Sequence, residues 1–181
     1  ILEEQSRRIH QTGAKLLALG GDYSVTPALV SGQLQAIPNS RLQIIRISRR
    51  LDAASIPDAT KTSLARASAT RQLGEYCGSA NSITMLGVSD VTSLEEYDYF
   101  SGGFVRSARQ LTDVTYGLTD EIVAGLTDPN VAFYLSVDID VLAWPSISTN
   151  SPYLGTGLTP EQLIALIAAL GELPITGADV T

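Results

Sequence analysis

Apolar residues along this chain fall into short, near-continuous runs, and stretches with helical spacing separate them. The run "AKLLAL" (14–19) stops at Gly20-Gly21, which predicts a buried strand and a turn. "LQIIRIS" (42–48), "SITMLGVS" (82–89), "VAFYLSVDID" (131–140) and "ITGADV" (175–180) predict four more strands, the isoleucines and valines suiting an extended backbone. Residues 1–13 have a helical pattern around Leu2 and Ile9, and Thr26-Pro27 opens a helical stretch through Leu34. "SLEEYDYF" (93–100) predicts a helix in which Ser93 and Glu96 form a capping box, and "GLTDEIVAGLTD" (117–128) a second with Thr119 as N-cap. "LTPEQLIALIAALG" (158–171) is the clearest helix, with Thr159 as N-cap, Pro160 at its first position and Gly171 as its stop. The stretch 52–72 is poor in large apolar residues and reads as an exposed loop with room for a helix at its end.

Apolar strands alternating with helices predict an α/β fold, a three-layer α/β/α arrangement with a mostly parallel sheet covered on both faces. In such sheets ligands bind at the carboxyl ends of the strands. Three of those ends carry polar residues: Asp22-Tyr23, Ser48 to Asp52, and Asp138 with Asp140. Strand residues two apart face the same way, so the last pair should share one space and need a cation or a proton between them. The chain has no G-x-G-x-x-G and no G-x-x-x-x-G-K, so no nucleotide motif supports a phosphate site.

The 181 residues, 44% hydrophobic and 17% charged, fit one globular domain. A formal charge of −7 argues against nucleic acid or an anionic membrane as the main partner. Cys77, the one cysteine, excludes an internal disulfide and fits a reducing compartment, taken as the cytoplasm. No apolar stretch is long enough to span a bilayer, and no signal peptide is evident. The start at Ile1 without methionine and the strand-like end suggest a single domain over 1–181 that is incomplete at both ends, with loops missing.

Taken in order, the segments "LGGDYSVT" (19–26), "IIRISRRLD" (44–52), "LSVDID" (135–140) and "GTGLTPEQL" (155–163) resemble the ureohydrolase family of arginase, agmatinase and formiminoglutamase. They are similar to that family's GGDHS, D-A-H-x-D and S-x-D-x-D segments and its glycine-rich entry to a late helix. The resemblance implies an arginase-like fold, an oligomer of three or more subunits, and two manganese ions that activate a water for attack on a guanidinium or formimino carbon. It also implies six ligands, of which this chain keeps Asp52, Asp138 and Asp140. Tyr23 stands where the first histidine belongs, Ser48 where an aspartate belongs, and Arg50 where the second histidine belongs. A guanidinium at position 50 would repel Mn²⁺ and pair with Asp138 and Asp140 instead. Ala53-Ala54 stands where a polar substrate contact is usual, so no catalytic residue can be assigned.

Three functional expectations follow. The first is an arginase-like protein with an impaired manganese site and no guanidinium hydrolysis, acting as a scaffold or regulator of a protein partner. The second is a hydrolase of a guanidino compound with one weakly bound ion on Asp52, Asp138 and Asp140. The third is a small-molecule or anion-binding protein that uses Arg50 in the vacated cleft beside Tyr23. Blander readings stand beside them: Asp22 as a turn residue, Ser48 to Arg50 as an exposed basic cluster, and His10 as a surface residue on a polar helix. Trp144 reads as loop packing, and Tyr97, Tyr99 and Phe100 as core or subunit interface.

Overall fold

Isoleucine, valine and leucine dominate the central strands because both faces of the sheet are covered there; the run 14–19, expected to be buried, instead forms an edge strand that leaves Leu17 and Leu19 exposed among the described residues. The computed structural model describes residues 1–38, 41–55, 67–89, 93–101, 103–113, 123–124, 126, 128, 130–143 and 157–181. Among them six strands, β1 (Leu16–Leu19), β2 (Arg41–Ile47), β3 (Ile83–Val88), β4 (Phe104–Ser107), β5 (Val131–Val137) and β6 (Ile175–Val180), form one sheet. Their order is β1-β6-β5-β2-β3-β4 and every pairing is parallel. Helices α1 (Leu2–Gln11), α2 (Val25–Ala36), α3 (Ala69–Tyr76), α4 (Leu94–Tyr99), α5 (Ala108–Asp113) and α6 (Pro160–Leu170) each precede the strand of the same number.

Alternate strand residues feed two cores. Ile45, Ile47, Phe133, Leu135 and Val137 pack with Leu163, Leu166 and Leu170 of α6. Ile44, Leu42, Met85 and Tyr134 pack on the other face with Leu29 and Val30 of α2 and Leu73 of α3. The α/β/α layering and the parallel sheet expected from the pattern are therefore present. At α6, Thr159 Oγ1 accepts from the Gln162 backbone N–H while Gln162 accepts from the Thr159 backbone, a full capping box with Pro160 behind it.

Four further readings need correction. The strand expected over 131–140 ends at Val137, because Asp138 accepts a hydrogen bond from the Asp140 backbone N–H and turns the chain into a 3-10 turn (Ile139–Val141). His10 is buried, not on the surface, where α1 lies against α2. Gly32 makes that close crossing possible, since a side chain there would press on Ser6 and the α1 backbone. Ser93 does cap α4, but the Glu96 carboxylate turns to the Ser93 hydroxyl and the Ala53 backbone N–H rather than closing a box. β4 and α5 carry no strong pattern and were not anticipated: β4 has four half-buried residues, one of them Arg106. Most of the helix expected over 117–128, with Thr119, lies outside the described residues, as do residues 56–66, Trp144 and 155–156 of the glycine-rich segment.

From β2 the chain runs outward to β3 and β4, whereas β5 and β6 lie on the opposite side of β2. That divergence opens a crevice between the carboxyl ends of β2 and β5, where open α/β sheets bind ligands.

Candidate active-site cleft

The three polar segments singled out above meet in this crevice. Gly20 and Gly21, both at positive φ (95° and 83°), turn the chain out of β1. Asp22 then accepts from the Ser24 backbone N–H at 3.0 Å, which is the turn role weighed for it, and the turn delivers Tyr23 into the interior at 3% exposure. The segment after β2 is anchored by Ser48 N–H to Leu86 and by Thr70 N–H to the Asp52 carbonyl, at 2.9 and 3.0 Å. Asp52 itself has φ of +48°, a left-handed conformation that aspartate tolerates better than most residues. Asp138 enters from β5, its N–H bonded to the Ile47 carbonyl at 2.8 Å.

The side chains form a closed polar cluster. Tyr23 donates its phenol hydrogen to Asp52 Oδ1 at 2.6 Å, and Arg46 Nη2 donates to Asp52 Oδ2 at 2.9 Å. The Arg46 guanidinium also donates to Thr70 Oγ1 and sits 4.3 Å from the Tyr23 ring centroid. Arg50 Nη2 donates to Asp140 Oδ2 at 3.1 Å and lies 4.0 Å from Asp138 Oδ2; its Nε is 3.9 Å from Asp52 Oδ1. Ser48 Oγ donates to Asp138 Oδ2 at 3.3 Å and accepts from the Arg50 backbone N–H at 3.2 Å. Ser48 and Arg49 are buried and Arg50 is about one-third exposed, so these residues are not an exposed basic cluster.

Burial pushes the Asp138 carboxyl above the usual carboxylate range. The Asp140 backbone N–H and the Arg46 charge pull it back, the Asp140 charge raises it again, and Arg50 lowers it. Next to the cluster, Asp179 of β6 is buried at 1% exposure and accepts from Tyr134 Oη at 2.9 Å and Ser136 Oγ at 2.8 Å. Its carboxyl is likewise raised by burial.

The carboxylates of the cluster are already engaged by groups of the chain itself. Both oxygens of Asp52 already hold a hydrogen bond, one from Tyr23 and one from a guanidinium, and a second guanidinium lies among the oxygens of Asp138 and Asp140. Among the described residues, no three His, Cys, Asp or Glu side chains gather closely enough to hold a metal ion. Asp138 and Asp140 both face Arg50, brought there by a turn rather than by strand alternation.

Two charged residues in or beside this cluster escaped the sequence reading. Arg46 lies inside "LQIIRIS", and Asp179 lies inside "ITGADV". The available signal was a charge within a run expected to be buried on both faces, since such a charge requires a partner.

Comparison with known proteins agrees with the geometry of the fold. A model of the Arginase family matches residues 1–181. A formimidoylglutamase of Halobacterium salinarum is 28% identical over 174 residues, which cover 93% of this chain and 54% of that protein. The formimidoylglutamase of Citrobacter koseri is 26% identical over 178 residues, 95% of this chain and 55% of that one. Among solved structures, a hypothetical agmatinase from Burkholderia thailandensis superposes with a TM-score of 0.82 at 23% identity, covering 99% of this chain and 55% of that one. Arginase from Bacillus caldovelox does so with a TM-score of 0.80 at 20% identity, covering 99% and 64%. The chain spans about half the length of the curated relatives it matches. The ordered segments, the six-stranded parallel sheet and the match over residues 1–181 lead to one conclusion: this chain belongs to the arginase family.

Proposed function

We propose that this chain is an arginase-fold protein whose carboxylate cluster is neutralised by its own arginines, and that it does not hydrolyse guanidinium or formimino compounds through a two-manganese centre. The observation that carries this reading is Arg50, hydrogen-bonded to Asp140 at 3.1 Å and 4.0 Å from Asp138. An incoming Mn²⁺ would have to break that pairing and sit against a permanent positive charge. Tyr23 and Ser48 offer hydroxyls where the family resemblance expects an imidazole and a carboxylate, and hydroxyls are weaker ligands for Mn²⁺. A homo-oligomer, a cytoplasmic location and a role toward a protein partner belong to the same proposal. Among the described residues no helix is long and apolar enough to cross a membrane.

Metal content after Mn²⁺ loading and dialysis, read by plasma mass spectrometry, tests the proposal. Less than a tenth of an ion per chain is expected. About one ion, lost on Asp138→Asn, would favour a single-metal hydrolase on Asp52, Asp138 and Asp140. Two ions per chain would overturn the proposal and send the protein to assays for urea and formamide release.

A further inference from the structure

The strand register places a buried polar row beneath the cleft. Arg46 of β2 is paired with Ser136 of β5, and Ser136 with Asp179 of β6. Paired residues of parallel strands share a face, here the face covered by α2 and α3. All three are 1% exposed, and the next row along the same face, Ile44, Tyr134 and Gly177, is apolar apart from the tyrosine hydroxyl. Gly177 leaves room for the Tyr134 ring, whose hydroxyl reaches Asp179.

A buried arginine in a sheet interior is costly unless it is paired. Arg46 is paired with Asp52, which it holds at 2.9 Å, and Tyr23 closes over it, stacked on its guanidinium and bonded to the other oxygen of the same carboxylate. Arg46, Tyr23 and Asp52 thus meet in one buried group, although Arg46 Nε has no hydrogen-bond partner among the described residues. Resting on the metal-free reading above, we propose that Arg46 is the resident cation of the deep half of the cleft, with Tyr23 as its cover. In this role Arg46 supplies the counter-charge that Asp52 would otherwise need from a bound cation. Arg46 is a positioning residue: by holding the Asp52 carboxylate it keeps residue 52 in its left-handed conformation, and the segment 48–52 then carries Arg50 toward Asp138 and Asp140. Its charge also favours the ionised forms of Asp138 and Asp179, against the burial that raises both.

A double-mutant cycle of Arg46→Met and Asp52→Asn, followed by urea unfolding with and without Mn²⁺, tests the assignment. Each single variant is expected to lower the unfolding midpoint, and the double variant to lose clearly less than the sum of the two. Additive losses would overturn the assignment, leaving Arg46 as a space-filling side chain. Should Arg46→Met fail to fold, a folded double variant supports the assignment and an unfolded one overturns it. A wild-type midpoint raised by Mn²⁺ would sink the metal-free reading itself. An additive cycle in a Mn²⁺-insensitive protein would sink only the role given to Arg46.

Discussion

Asp179 illustrates how one residue's surroundings set its chemistry. Its carboxylate is bonded by hydroxyls, those of Tyr134, Ser136 and Thr26, rather than directly by a cation. Burial therefore outweighs hydrogen bonding and moves its pKa upward from 3.8. A carboxyl with a raised folded-state pKa contributes stability that is fully present below the unfolded value and is lost as pH rises through the folded value, because the folded state holds its proton longer. Asp179→Asn removes this dependence, so the variant should gain on the wild type as pH rises from the ordinary carboxylate range upward. Urea midpoints of both proteins across that range check it; parallel profiles would mean that Asp179 titrates alike folded and unfolded. Nothing in the motif "GADV" announces this behaviour, because it comes from strand neighbours more than forty positions away. Cys77, by contrast, behaves as composition suggested: it is half-buried and free, and burial pushes its thiol up to about 11, away from reactivity.

At the scale of elements, local rules predicted what local contacts hold. α6 starts at Thr159-Pro160 because the threonine hydroxyl and the Gln162 amide satisfy the first free backbone donors. Thr159→Ala should lower stability by about 1 kcal/mol, read as a shift in the urea midpoint with unchanged slope. An unmoved midpoint would mean that α6 is held by Leu163, Leu166 and Leu170 alone. Where a side chain is claimed by a distant partner, local rules failed. Glu96 matches the capping pattern, yet one of its oxygens takes the Ala53 N–H beside the cleft at 3.0 Å. β5 continues the apolar pattern to Asp140, but Asp138 prefers the Asp140 N–H to the next rung of the sheet. His10 lies among polar neighbours in sequence yet is buried on the helix that packs against α2, and burial lowers its pKa.

For the molecule as a whole, sheet order sets both the site and the distribution of stability. β2 and β5 are central, flanked on both edges and packed on both faces, whereas β1 and β4 each pair with one strand. In this chain, amides of β2 and β5 should exchange with deuterium slowest and those of β1 and β4 fastest, since edge strands open without global unfolding. Hydrogen-exchange mass spectrometry resolves this, and a β4 as protected as β5 would argue for a covering partner at that edge.

What the amino-acid sequence determined alone was the class of the fold and the order of its elements apart from β4 and α5. Runs of apolar residues bounded by Gly20-Gly21, Thr159-Pro160 and Gly171 encode strands, turns and helix ends through contacts within a few positions. Polar residues at strand ends, exceptions to those runs, marked Asp22-Tyr23, Ser48 to Asp52, and Asp138 with Asp140, and the family resemblance singled out Tyr23, Ser48, Arg50, Asp52, Asp138 and Asp140 among them. The tertiary structure decided which charges neutralise which. Arg46 could pair with Asp52 only after the chain turned back through a left-handed residue, and it could sit beside Ser136 and Asp179 only after β5 and β6 aligned in register. Ion pairing in a sheet interior depends on distances between strands far apart in sequence, and short-range patterns do not encode those distances.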